Sequence, residues 1–279
     1  MYKEKIANYS NHDQKTEELG FDSTRLSYIP EYFSSYVEQE RIPNFVCLVS
    51  RFGEVAHYSH QGFKNIESKE KIDNETIFRI YSMTKPITSV AIMMLYERGL
   101  IRLEHELYRY LPEFKNTEVW VTGDINNFKT KPLNNPILIR DLLTHTAGFT
   151  YDFMLGHPAI GLYRKNGLHD YKNIETQEEM DLEEFCNKLS TLPLLFDPGE
   201  KWHYSCSIDI LGRVVEVVSG MKLDAFFREN IFNPLEMFDT GFNVEKDKLD
   251  RFSDCYQTML GSKKKNMTLS HVAGNDEFS

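Results

Sequence analysis

The chain has 279 residues, 41% of them hydrophobic and 13% aromatic, which is ample for a sizeable core in one large domain or two lobes. A formal net charge of -10 argues against a nucleic-acid binder, which would carry a basic stripe. No stretch approaches about eighteen uninterrupted apolar residues, so no membrane span is expected.

The first ten residues, Met1 to Ser10, have no apolar segment of the secretory kind, which predicts a cytoplasmic location. Residues 1–22 read as a loose arm. From Ser23 to about Gln39 a helical pattern sets Leu26, Ile29, Phe33, Tyr36 and Val37 on one stripe. Asn44 to Ser50 and Val55 to Gly62 read as two strands, joined into a hairpin at Gly53. His57 and His60 fall on opposite faces of the second strand, so no metal site is expected there. A polar connector from Asn65 to Glu75 leads to Ser82-Met83-Thr84-Lys85.

Ile87 to Arg98 is apolar nearly all round and predicts a helix buried between lobes, stopped by Gly99. Pro86 lies in its first turn, where a missing N–H costs little. Leu107 to Leu111 reads as a short turn and residues 115–136 as loop. Ile137 to His145 is a short helix ending at Thr146-Ala147-Gly148. Residues 150–178 lack a clear period, as binding loops often do. Asp181 caps a helix to Leu189, and Asp197-Pro198-Gly199-Glu200 is a turn. Ser205 to Ser219 is a helix with Ile208, Leu211, Val214, Val215 and Val218 inward and Gly220 as its stop. Lys222 to Ile231 forms a further short helix. No closing element is evident before Ser279, and two strands make no stable sheet alone, so the strands that complete it are expected to be missing. The four cysteines, Cys47, Cys186, Cys206 and Cys255, have no metal or redox spacing and read as free thiols.

Ser82 and Lys85 lie three residues apart at a helix start, on one face. A serine hydroxyl is a poor nucleophile until a neighbour takes its proton, and a desolvated lysine can be that neighbour or can hold one in its anionic form. Tyr204, at the junction of the 197–200 turn and the next helix, is the candidate second proton carrier. Phe149, Tyr151 and Phe153 alternate after Gly148 and either pack the loop on the core or line an acyl pocket. There is no H-E-x-x-H, no G-x-S-x-G elbow, no P-loop and no G-x-G-x-x-G, so neither a metal nor a cofactor is expected.

Ser82-x-x-Lys85, Leu142-Leu143-Thr144-His145-Thr146-Ala147-Gly148-Phe149 and Pro198-Gly199-x-x-Trp202-x-Tyr204-Ser205 occur in that order. The chain resembles the serine β-lactamase-like superfamily, which takes in class C β-lactamases, D-Ala-D-Ala peptidases and family VIII carboxylesterases. The likeness runs from about Leu26 to about Phe242. It implies an α+β fold, with an antiparallel sheet flanked by helices joined to an all-helical lobe and the site between them. Residues 23–279 would form the catalytic domain, incomplete at its C-terminus, with 23–80 on the sheet side and 81–242 mostly the helical lobe.

The resemblance further implies Ser82 as acyl-accepting nucleophile, Lys85 as its activator and Tyr204 as the tyrosine of a Tyr-x-Asn motif. Ser82 N–H would be one oxyanion donor. Two departures stand out. Cys206 replaces the Asn, which tilts the reading toward esterases. No Lys-Thr-Gly or His/Trp-x-Gly strand is found, and Ser262-Lys263-Lys264-Lys265 follows no evident strand. The expected protein is a serine hydrolase acting on small-molecule esters or amides, most simply a carboxylesterase. The alternatives are a β-lactamase or D-Ala-D-Ala peptidase, and a non-catalytic binding protein. A homo-oligomer or a complementing C-terminal segment would supply what the site lacks.

Overall fold

A computed structural model describes residues 13–168, 180–260 and 267–273. Its contacts divide it into two units. One runs to Ile80 and resumes at Phe238; the other is Tyr81–Met237.

The first unit is organised by one hairpin. Strands β1 (Asn44–Arg51) and β2 (Glu54–Asn65) pair antiparallel with Arg51 opposite Glu54. The two residues between them, Phe52 and Gly53, have φ of 54° and 75°, the mirror-image turn that suits the right-handed twist of paired strands. Gly62 approaches β1 so closely that a Cβ there would collide with Pro43 O. The predicted first helix divides at Ser27. A short α2 (Ser23–Leu26), capped by Asp22, is followed by α3 (Tyr28–Glu38), whose Phe33 ring lies 5.3 Å from that of Phe45 on β1.

Three expectations are corrected in this unit. Residues 13–18, assigned to a loose arm, form helix α1 (Asp13–Glu18). Thr16 is buried and donates its hydroxyl to Ala56 O at 3.0 Å, and Leu19 is buried beside it. The rest of that arm, residues 1–12, lies outside the described residues. The polar connector contains β3 (Glu70–Lys71), which extends the sheet in the order β1-β2-β3. The C-terminal region holds a further antiparallel hairpin, β6 (Cys255–Leu260) with β7 (Met267–Ala273). A strand therefore does precede Lys263-Lys264-Lys265, a run that itself lies outside the described residues. Ile77 stitches this region in. Its N–H donates to Arg251 O at 2.8 Å and its carbonyl accepts from Ser253 N at 2.9 Å.

The second unit is built round two helices, α4 (Thr84–Glu97) and α8 (Ser207–Ser219). Helix α8 buries Ile208, Ile210, Leu211, Val214 and Val215, and ends where Gly220 takes a left-handed φ of 71°. Helix α4 buries Thr88, Ala91, Ile92 and Leu95 only. Val90 and Met93, at 49% and 41% exposure, are open, so α4 is not buried all round as its composition suggested. Its packing partner, α8, covers one face. Two more helices, α5 (Ile139–Leu143) and α7 (Leu182–Ser190), keep their predicted places, and Asp181 accepts from Glu184 N as the cap of α7. Helix α6 (Ile160–Lys165) falls in the stretch read as irregular. The last predicted helix is α9 (Leu223–Phe227), widening into a π-helical turn over Arg228–Phe232.

Residues 115–136 are not loop. They form the hairpin β4 (Glu118–Gly123) and β5 (Phe128–Pro132). The polar Lys129-Thr130-Lys131 hid β5, because one face of the hairpin is solvated. Trp120 stacks on Phe128 at 4.7 Å, and β4 is bonded on its other edge to Leu194.

In the first unit, Arg251 grips Asp239 with two parallel bonds of 2.9 and 2.8 Å. The guanidinium holds that carboxyl down to about 2, against a partial desolvation that works the other way. A depressed carboxylate stabilises the fold fully above its ordinary range near pH 4 and loses that contribution as pH falls toward 2. Both side chains are partly solvated, so the contribution is about 1 kcal/mol after screening. Urea denaturation between pH 2 and 6 is expected to show Asp239→Asn less stable above pH 4, with the gap to the parent closing toward pH 2.

Candidate active site

Ser82, Lys85 and Tyr204, which the sequence singled out, all belong to the second unit, and the structure brings them together. Ser82 sits in a 3-10 turn, Tyr81–Met83, that runs straight into α4. The residue before it, Tyr81, has a left-handed φ of 41°. This bend costs backbone energy for a residue with a Cβ, and such strain gathers where a side chain must be presented. Ser82 is exposed at the bend, and its N–H belongs to the first turn of a helix.

Tyr204 Oη lies 2.6 Å from Ser82 Oγ, and either can donate. Lys85 Nζ lies 5.0 Å from the Tyr204 ring centroid and 5.3 Å from that of Tyr151. A hydroxyl, a phenol and an ammonium thus share one small volume. Such a set can pass a proton from the hydroxyl to the phenol oxygen when the ammonium favours the phenolate.

What holds Tyr204 there is a ladder of backbone bonds between two loops. Leu195 N donates to Gly148 O at 2.8 Å, Gly199 N to Thr146 O at 2.9 Å and His203 N to His145 O at 2.9 Å. The Leu142–Phe149 signature is therefore the fixed edge against which the 195–206 segment is laid. Gly148 has a φ of 90°, and a Cβ on it would run into Phe196 O. The 197–200 turn is pinned in turn by Asp197. It accepts from Asn134 N at 2.7 Å and from Lys131 Nζ at 2.7 Å, bonds that keep it ionised although desolvation opposes them.

His145 was given no chemistry from the sequence. Its ring lies 4.9 Å from that of Tyr204, and its Nδ1 accepts from Ser205 N at 3.3 Å. Burial first, and then Lys85, push its pKa down against the opposing Asp209 charge, so it packs as a neutral imidazole. Its backbone, at φ 56°, is also left-handed. Sequence periodicity carries no mark of such a conformation.

The three candidate pocket residues separate. Phe149 is fully buried and packs edge-on against Phe114 at 5.8 Å, as part of the core. Tyr151 is buried too; its hydroxyl donates to Asp209 Oδ2 at 3.1 Å. Burial first, and then the Asp209 charge, push its pKa well up and keep it a donor. Phe153 stacks on Tyr151 at 4.9 Å and is 48% exposed. Asp209 was missed. It stands in the first turn of α8, where an acidic residue reads as ordinary helix capping. Cys206 is fully buried, and burial, then Asp209, raise its pKa well above the ordinary thiol range. Among the described residues no group of three or more His, Cys, Asp or Glu could hold a metal ion. No helix among them is long and apolar enough to cross a membrane.

The profile of the Beta-lactamase family matches residues 29–272. The chain belongs to that family. Among its curated relatives is esterase EstB of Burkholderia gladioli, 34% identical over 210 residues, which cover 75% of this chain and 50% of EstB. Lovastatin esterase of Penicillium rubens is 33% identical over 201 residues, covering 71% of this chain and 48% of the esterase. Among solved structures, EstCE1, described as a hydrolase with promiscuous acyltransferase activity, superposes with a TM-score of 0.73 at 28% identity. That superposition covers 93% of this chain and 60% of EstCE1. The chain spans about half the length of the curated relatives it matches. The family and its structural neighbours agree with the antiparallel-sheet-plus-helices fold expected from the motifs.

Gly148→Ala is expected to destabilise the protein by about 2–4 kcal/mol, since it adds both a strained φ and a backbone collision. Chemical denaturation measures this. An unchanged midpoint would mean that the 145–150 edge gives way without cost.

Proposed function

We propose that this chain carries the nucleophilic half of a serine esterase or acyltransferase site, with Ser82 as the acyl acceptor. The observation that carries the reading is the 2.6 Å contact of Ser82 Oγ with Tyr204 Oη beneath the Lys85 ammonium.

In this reading the Lys85 charge favours the Tyr204 phenolate, which takes the Ser82 proton as Oγ bonds to the ester carbonyl carbon. The carbonyl oxygen becomes an oxyanion beside Ser82 N–H, one donor of the oxyanion hole. Collapse breaks the bond to the alcohol oxygen, which leaves with the proton from Tyr204. Water or a second alcohol then attacks the Ser82 ester and gives its proton to Tyr204, which passes it to Ser82 Oγ as the acyl–Oγ bond breaks. Water gives hydrolysis; an alcohol gives acyl transfer.

An ester is favoured over a β-lactam for two reasons. Cys206 stands where the motif would place an amide, and its thiol is wholly buried, so it offers nothing to a lactam side chain. Several curated relatives are named esterases or acyltransferases. Exposed Met83, Phe153 and Trp202 near Ser82 and Tyr204 favour an apolar acyl group.

The test is a fluorophosphonate probe with the adduct mapped by peptide mass, beside turnover of p-nitrophenyl butyrate and a chromogenic cephalosporin. Ser82 is the expected site of labelling, and the butyrate the faster substrate. Tyr204→Phe should lower turnover by about a hundredfold or more with the fold intact by circular dichroism. Labelling at another serine, or faster cephalosporin hydrolysis, overturns the reading.

A further inference from the structure

Lys85 and Asp209 are charges of opposite sign in one partly buried neighbourhood. Both act on the same two groups. Lys85 lowers the pKa of both His145 and Cys206, and Asp209 raises both. Helices α4 and α8, which carry them, pack together. A flexible ammonium and a carboxylate so placed attract strongly, because the surroundings screen them less than water does. Yet among the described residues neither forms an ion pair. Lys85 Nζ lies beside two touching phenol rings, and the Asp209 carboxylate is taken by the Tyr151 hydroxyl.

Tyr151 therefore engages both charges. Its ring faces the ammonium at 5.3 Å, and its hydroxyl engages the carboxylate at 3.1 Å. The ring is held in turn by stacking on Phe153 and by contact with Tyr204 at 5.5 Å. We infer that Tyr151 is a positioning residue that insulates Lys85 from Asp209, leaving the ammonium to act on Tyr204. A direct Lys85–Asp209 pair would draw the side chain off Tyr204 and neutralise the charge that favours the phenolate. The inference rests on the acyl-transfer reading above, but its geometric core can be tested apart from it.

The experiment compares the parent, Tyr151→Phe, Asp209→Glu and Tyr151→Phe/Asp209→Asn by crystal structure and by the rate at which a fluorophosphonate labels Ser82. Tyr151→Phe keeps the ring and frees the carboxylate. It should show a direct Lys85–Asp209 ion pair and label about tenfold more slowly, the scale of one lost bond to a charged group. Removing the carboxylate in the same background should restore most of the rate. A purely structural role for Tyr151 predicts no such rescue. Asp209→Glu leaves Tyr151 in place but lengthens the reach of the carboxylate, and should also pair with Lys85 and slow labelling. The inference is overturned if Lys85 keeps its place and the rate is unchanged in both single variants, or if the double variant is no faster than Tyr151→Phe. A parent chain unlabelled at Ser82 would instead overturn the acyl-transfer reading. The Lys85–Asp209 geometry in the variant crystals would still judge the insulation.

Discussion

The second unit depends on the backbone ladder that joins residues 145–148 to 195–203. Neither segment has regular secondary structure, so each would otherwise leave N–H and C=O groups unpaired in a buried place. Their mutual bonds satisfy those groups and fix the register of one loop on the other. The register decides where Tyr204 falls. A slip of one residue would carry its phenol away from Ser82, since both flanking residues turn elsewhere. Ser205 is tied to His145 and Ser207, and His203 to Thr150. Gly148 makes the close approach possible, and Asp197 fixes the turn between the rungs.

On that frame the electrostatics are simple. One lysine, one phenol and one hydroxyl do not need a deep cavity if they are mutually held. The ring contacts run from Trp202 to His145, Tyr204, Tyr151 and Phe153, and they keep two phenols side by side against Lys85. Of these rings, the two at the ends are exposed and the three in the middle are not. The row is thus a wall for the ammonium at its centre and an apolar surface at its ends.

Much of this was legible in the residues. Ser82, Lys85 and Tyr204 could be named because their spacing relative to helix starts and turns is a local property. The capped helices after Asp181 and before Gly220, and the hairpin at Gly53, follow from local chemistry in the same way. What escaped was tertiary. Helix α1 is tied to β2 by the Thr16 hydroxyl on Ala56 O and by the Lys15–Glu54 ion pair, contacts between residues about forty apart in sequence. β5 is polar because only its partner strand faces the core. The β6–β7 hairpin pairs segments separated by the basic run that drew attention instead. Phe149 and Tyr151 look alike in the alternating pattern, yet one packs in the core and the other reaches a carboxylate. Asp209 is one acidic residue in a helix's first turn, and the left-handed backbones of Tyr81 and His145 leave no compositional trace.

The place of Cys206 has one more consequence. Thiol oxidation and alkylation proceed through the exposed thiolate. The two cysteines of this unit, Cys186 and Cys206, are both wholly buried and held protonated by desolvation. A sulfur two residues from Tyr204 has the position of a redox handle on the site. It is instead sealed filler, and the acyl chemistry proposed for Ser82 runs on oxygen and nitrogen alone, indifferent to the thiol–disulfide poise of its surroundings.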